Sequence, residues 1–398
     1  MRPLFPFRIE VRPQPSTSMV IGVSLLAILA AFLVSGLILQ AYGMSSVRDY
    51  GVVLQETLGS PQGIAEVVRK TIPLLLAGVG LALAFRAQFW NIGAEGQLLA
   101  GAVAAAGVAL FAPIPAPWLL PCMFVAGFVA GSLWGSLPTL LKVKVGVNEV
   151  ITSLMMNYMA LYSVQWLIYG PWKGKSMRGF AYTDPFPQAA WLPLIPGTRV
   201  HWPTLIVGLT LALGITFLLS RTRLGYEVRV LGLNPEAARY AGIDGARVTL
   251  LVMLISGGAA GLAGVGEVAG IHHKLLGPTQ ISLGYGYTAI IVAWLARGNP
   301  LAIILTSLLV GFIFASGDVA KVALRIPVQI VEVLNGLILV FLIGSERLLS
   351  YRVRWAPASP PSLPRPSTSR PLPPGEGEGG DGGDGTSDLQ HTPDVERL

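Results

Sequence analysis

A chain of 398 residues that is 53% hydrophobic and only 12% charged falls well short of the charge of a soluble domain, where about a quarter of residues are ionised. The class that remains is an all-α polytopic membrane protein. The formal net charge of +7 comes with no basic patch interleaved with stacking aromatics, so it reads as a topology signal and excludes nucleic acid as a partner. The one cysteine, Cys122, excludes an intramolecular disulfide.

Residues 1–17 mix Arg2, Arg8 and Arg12 with prolines and read as a cytoplasmic N-terminus. Residues 19–43 carry no charge and are too long for a signal-peptide core, so they form a first, uncleaved span. Residues 44–70 are polar enough to lie outside or on the interface, and the apolar segment 71–85 is marginal for a crossing. Prolines 113, 115, 117 and 121 divide the next apolar stretch into spans at 92–112 and 118–140. Lys142 and Lys144 mark an inside loop before a span at 149–169, and 170–201 is a long outside loop. Spans follow at 202–220, 248–269, 285–297, 300–316 and 328–344, after which Arg347, Arg352 and Arg354 place the C-terminus inside. The sum is about ten spans in a membrane domain over residues 18–350, with both termini cytoplasmic. Residues 351–398, rich in Pro, Ser, Gly and Asp, cannot bury enough apolar surface to fold and read as a disordered cytoplasmic tail.

The loop 221–247 is the long polar interruption between the greasy segments. Its arginines (221, 223, 229, 239 and 247) outnumber Glu227, Glu236 and Asp244, which places it in the cytoplasm. Within it Asn234 can cap a helix, Pro235 fits the first helical position, Glu236 favours the positive end of the dipole, and Gly242 can end the helix in a left-handed conformation. A short capped helix there is either a handle for a soluble partner or a plain connection between two spans.

Between Arg86 and Lys142 the one acidic side chain is Glu95, and a carboxylate inside a membrane run must be paired, hydrated or neutral. Asn91 and Gln97 bring amides beside it, while Gly93 and Gly96 permit a broken backbone of the kind that lines a cavity. Glu95 either lines a solute pathway or ties its helix to a neighbour. Asn148 and Glu149 suit a helix start, with capping as sufficient reason for both. Asn157 lies too far into its helix to cap and bonds a neighbouring helix or a solute. Tyr285 and Tyr287 could stack on a ring in the pathway, or belong to an interfacial aromatic belt. The runs opened by Asn91 and by Gly284 share a glycine-rich start, lie five spans apart and point in opposite directions, as an inverted repeat requires. Gly127, Gly131 and Gly135, like Gly257 and Gly261, are spaced for close helix packing. The stretch 173–176 misses the spacing of a phosphate-binding loop, His272 and His273 are adjacent and so do not share a helical face for a metal, and no nucleophile–base pattern occurs. The chain therefore reads as no enzyme, with neither cofactor nor metal.

Four stretches carry a resemblance. They are Phe89-Trp-Asn-Ile-Gly-Ala-Glu-Gly-Gln97; Val147-Asn-Glu-Val-Ile-Thr-Ser-Leu-Met-Met-Asn-Tyr158; the loop from Thr222 to Arg229 and on from Gly232-Leu-Asn-Pro-Glu-Ala-Ala-Arg-Tyr-Ala-Gly-Ile243; and Gly284-Tyr-Gly-Tyr-Thr-Ala-Ile290 with Gly298-Asn-Pro300. Over residues 18–350 the chain resembles the permease subunits of ATP-binding-cassette importers, in the simple-sugar and nucleoside branch related to ribose and branched-chain amino acid permeases. The resemblance implies that Asn234, Pro235, Glu236, Ala238, Arg239 and Tyr240 belong to a coupling helix docked on a cytoplasmic ATPase subunit. It further implies a second permease subunit as a hetero-pair, an extracytoplasmic substrate-binding protein, and import across the inner membrane by alternating access. A nucleoside is the first expected solute and a simple sugar the second. The rival class is a self-sufficient transporter driven by an ion gradient.

Overall fold

The computed structural model describes residues 7–11, 17–41, 46–176 and 179–355. Fourteen α-helices are present among them: α1 (Thr17–Ala41), α2 (Ser46–Leu58), α3 (Pro61–Arg86), α4 (Ala94–Phe111), α5 (Ala116–Val145), α6 (Glu149–Tyr169), α7 (Trp202–Arg221), α8 (Arg223–Leu233), α9 (Pro235–Tyr240), α10 (Gly245–Glu267), α11 (Pro278–Ser282), α12 (Tyr285–Leu295), α13 (Pro300–Ala323) and α14 (Val328–Ser350). Seven helical segments among the described residues are long and apolar enough to cross a membrane: α3, α4, α5, α7, α10 with the π-helical turn that extends it to His272, α13, and α14 as far as Ser345.

The chain divides into two compact units. Glu10–Arg352 contains all fourteen helices. The other unit, Met1–Ile9 with Val353–Leu398, contributes among the described residues only strand ends. Those strands, β1 (Phe7–Val11) and β2 (Tyr351–Trp355), pair with each other. Residues 351–355 had been expected in a structureless tail. The alternation Tyr-Arg-Val-Arg-Trp, with three strand-favouring residues, was the signal for a strand. The rest of the expected tail, from residue 356, lies outside the described residues, as do 1–6 and 12–16 of the N-terminal segment.

The helix at the centre is α3, buried along nearly its whole length. It begins ten residues before the segment expected at 71–85, with Pro61 at its first position and the Ser60 hydroxyl accepting the N–H of Gly63 at 3.0 Å. Three of the charges that made residues 44–70 look external, those of Glu66, Arg69 and Lys70, are paired inside the bundle. Arg69 pairs with Glu66 one turn back, and Lys70 Nζ lies 2.6 Å from Asp318 on α13. A local polarity count cannot see a partner almost 250 residues away.

Two glycine seams bring α4 and α5 against α10. A Cβ on Gly131 would sit 2.3 Å from the carbonyl oxygen of Gly257, and one on Gly261 would sit 2.2 Å from that of Gly127. Gly101 of α4 meets Gly261 at the same closeness. The span expected at 285–297 is one unbroken helix that stops at Leu295, short of a full crossing. Leu283 and Gly284, with φ of 45° and 73°, separate α11 from the eleven-residue α12, because two consecutive left-handed residues cannot continue a helix.

Candidate functional site: a polar chamber and an exposed helix

The break before α4 is held by amides rather than by regular backbone pairing. Asn91 Oδ1 accepts the N–H of Gly93 at 2.9 Å and Gln97 Nε2 at 3.0 Å, and Asn91 Nδ2 donates to Gln97 Oε1 at 3.1 Å and to Ser256 Oγ at 3.3 Å. Both side chains are buried with their polar groups engaged, so they set the turn. From α6, Asn157 Oδ1 accepts the N–H of Gly96 at 2.8 Å, while its Nδ2 donates to the carbonyl of Ile92 at 2.9 Å and to the Tyr287 hydroxyl at 3.3 Å.

Glu95 lies in the first turn of α4, and its Oε2 accepts the N–H of Gly286 at the start of α12 at 2.8 Å. The carboxylate thus sits at the N-terminal ends of two helices, where unpaired N–H groups and both dipoles favour negative charge. Gly286 is required there, since a Cβ would fall 2.3 Å from the Glu95 nitrogen. Glu95, Asn157, Tyr287, Thr279, Ser282 and Gly284 line a chamber of about 330 Å³. Thr279 and Ser282 were not singled out from sequence; they belong to α11, whose five residues were too short to register as an element.

Of the other sequence candidates, Tyr285 turns away from this chamber. It is fully buried, with its ring 6.2 Å from that of Phe314. Each helical residue turns the chain by about 100°, so Tyr285 and Tyr287, two positions apart, point to nearly opposite sides. Neither Asn148 nor Glu149 lines the chamber. Asn148 Oδ1 accepts the N–H of Val150 at 2.9 Å as the cap of α6, and Glu149 pairs with Lys142 at 2.6 Å. Residues 173–176 wrap a carboxylate: Asp184 accepts the N–H groups of Lys175 and Ser176 at 3.2 and 3.0 Å and the Ser176 hydroxyl at 2.5 Å. These donors, the hydroxyl foremost, hold the Asp184 carboxyl below the usual carboxylate range. Among the described residues no three His, Cys, Asp or Glu side chains converge as a metal site needs.

At one end of the bundle the Arg86 Nε donates to the carbonyl of Gly298 at 3.0 Å, and α8 packs so closely that a Cβ on Gly232 would meet the Arg86 carbonyl oxygen at 2.1 Å. From α8 the chain passes into α9, capped by Asn234, whose Oδ1 accepts the N–H groups of Glu236 and Ala237 at 2.9 and 3.1 Å. Gly242, with φ of 74°, follows the helix end. Glu236, Arg239 and Tyr240 are exposed, Tyr240 at 92%, and Leu233 just before the cap is at 87%. Ala238 is 1% exposed and packs inward, which removes it from any contact surface expected of this helix.

Residues 63–343 match the family described as branched-chain amino acid transport system / permease component. The chain is 38% identical over 343 residues to a glucose ABC transporter permease protein of Haloferax volcanii, covering 83% of this chain and 89% of that one. It is 30% identical over 332 residues to a nucleoside ABC transporter permease protein of Lactococcus lactis subsp. cremoris, covering 80% and 90%. It is also 30% identical over 329 residues to a guanosine ABC transporter permease protein of Bacillus subtilis, covering 81% and 93%.

Proposed function

The chain belongs to the branched-chain amino acid transport system / permease component family, and from that footing we propose that it moves a nucleoside or a simple sugar across the inner membrane through the chamber at Glu95. It is a multi-pass permease subunit of the ABC type. The solute classes follow from relatives described as glucose, nucleoside and guanosine permeases. The observation that carries the reading is the chamber itself, where a carboxylate, an amide and a phenol face one space between broken helices.

In this reading the arginine-rich segment through α8 and α9 faces the cytoplasm, and both termini lie on that side. The chain then crosses about ten times, with α1, α6 and the α11–α12 pair completing the seven longer segments. The meeting of the α4 and α12 starts at Glu95 and Gly286 supports an inverted repeat whose axis runs near that contact. Asn234, Pro235, Glu236, Arg239 and Tyr240 form a coupling helix on an ATPase partner, with Ala238 packing it to the bundle. Closure of the ATPase pair tilts two permease subunits, a hetero-pair, so that the chamber opens to each side in turn. A substrate-binding protein delivers solute to the outer face, and residues 351–398 form a cytoplasmic tail beyond the permease domain 18–350.

Reconstitution into proteoliposomes together with the second permease subunit and the substrate-binding protein, with and without the ATPase subunit, tests this. Uptake of labelled guanosine or glucose is expected only with both the ATPase and ATP present. Accumulation by the chain alone on an imposed proton or sodium gradient would make it a secondary transporter and defeat the proposal.

A further inference from the structure

A second and larger cavity, of about 480 Å³, lies between α3, α10, α13 and α14. Arg69, Lys70, Arg199, Glu267, His272 and Glu332 are among its lining residues. Its acceptors are unanswered. Glu267 is 1% exposed, and both of its carboxylate oxygens lack a hydrogen-bond partner, as does Nε2 of His272, 3.9 Å away. The nearest cations are already committed, Arg69 to Glu66 and Lys70 to Asp318. A carboxylate buried in this way costs several kcal/mol unless donors reach it.

The chemistry of the lining selects the kind of donor. Arg69, Lys70, Arg199 and Lys321 are matched by Glu66, Asp318, Glu267 and Glu332, so the surroundings favour neither a strong anion nor a strong cation. Hydroxyl groups can donate to Glu267 while accepting from the guanidinium and ammonium groups, and Phe314 offers a flat apolar face to the carbon side of a ring. The volume falls within the range of about 300–1,000 Å³ usual for small-molecule sites. Leu283 and Glu332 line both this cavity and the chamber at Glu95, so the two spaces adjoin there. Leu283 holds a left-handed φ of 45°, an unfavourable conformation for a branched side chain kept at the partition.

We propose that this cavity is a second solute station, for a neutral hydroxyl-rich molecule, divided from the chamber at Glu95 by Leu283. The inference rests on the chain being a solute permease, but not on solute binding at Glu95. Gly336 lines the cavity, and a Cβ placed on it meets nothing within 4 Å, which makes it a tolerant position for a reporter thiol. The test takes the intact chain with Cys122→Ser and Gly336→Cys in lipid nanodiscs and measures labelling by a small water-soluble methanethiosulfonate, with D-glucose or D-ribose as the probe. Sugar at about ten times its dissociation constant is expected to slow labelling about tenfold. Glu267→Gln is expected to remove that protection; should it not fold, Glu332→Gln, at the exposed edge, is expected to weaken it. Absence of labelling would mean a closed cavity, equal labelling with and without both sugars a merely water-filled one, and undiminished protection in the folded variants a different site; each overturns the proposal. Leu161→Cys, which lines the chamber at Glu95, reports on that chamber separately, so labelling there that neither sugar slows, with protection intact at Gly336→Cys, would reject the chamber at Glu95 and keep this one.

Discussion

The carboxylate of Glu95 accepts the backbone N–H of Gly286 across 191 positions of sequence, and so pins the start of α4 to the start of α12. One side chain therefore serves two ends: it satisfies an orphan helix donor and presents its remaining surface to the chamber.

Substitution separates those duties. Glu95→Gln keeps an acceptor for Gly286 but removes the charge, whereas Glu95→Ala removes both. We expect Glu95→Ala to lose about 2 kcal/mol of stability, the scale of a charged buried hydrogen bond, and Glu95→Gln to lose less. Uptake should fall in both while assembly with the ATPase persists. Thermal unfolding in detergent alongside proteoliposome uptake checks this, and wild-type kinetics in Glu95→Ala would confine the residue to a structural role.

The seam between α5 and α10 is a packing device, and its prediction concerns stability alone. A methyl at Gly131 or Gly261 has backbone atoms within 2.3 Å and no flexible side chain to displace. Gly131→Ala and Gly261→Ala should each destabilise by about 1–3 kcal/mol through overpacking. Gly336→Ala, into open space, should leave the melting temperature nearly unchanged.

Lys70 and Asp318 tie α3 to α13, with Lys321 as a second partner of the carboxylate at 2.9 Å. Asp318→Asn leaves the buried Lys70 without its counter-charge, and we expect a loss of about 3–5 kcal/mol. Lys70→Met combined with Asp318→Leu should recover most of it, since a matched apolar pair carries no desolvation penalty. Denaturant titration of the single and double variants gives the coupling.

Asp184 organises residues 174–176 by hydrogen bonds to its ionised form. Because its folded pKa lies below the ordinary carboxylate value, the ordering is complete above that ordinary value and is lost as pH falls through the depressed one. In hydrogen exchange, the protection of the 175–176 amides relative to their intrinsic exchange rates should therefore be lost only in acid. Asp184→Asn should leave these amides unprotected at every pH.

How much of this was legible beforehand follows from the range of each interaction. The capped helix at Asn234 was readable because its grammar is local: an asparagine, a proline and a glycine at fixed offsets. Glu95 stood out because a lone acid in an apolar run is conspicuous. By contrast, Arg69 and Lys70 looked like the edge of a loop, since Asp318 is remote in sequence. The α11–α12 break was hidden because Leu283 gives no local warning of a left-handed backbone. Tyr285 and Tyr287 looked equivalent, yet only one faces the chamber, a distinction set by helix phase at a boundary that sequence does not locate to one residue.

The exposed face of α9 bears on the central claim, that motion from an ATPase reaches the chamber through this helix. Arg239→Glu and Tyr240→Ala alter that face without touching the inward-packed Ala238, so the fold should survive both. The decisive measurement is the number of solute molecules imported per ATP hydrolysed in proteoliposomes holding the assembled complex. We expect this ratio to drop about tenfold or more in both variants while hydrolysis continues, as loss of an interface anchor implies. An unchanged ratio in both would contradict transmission through α9.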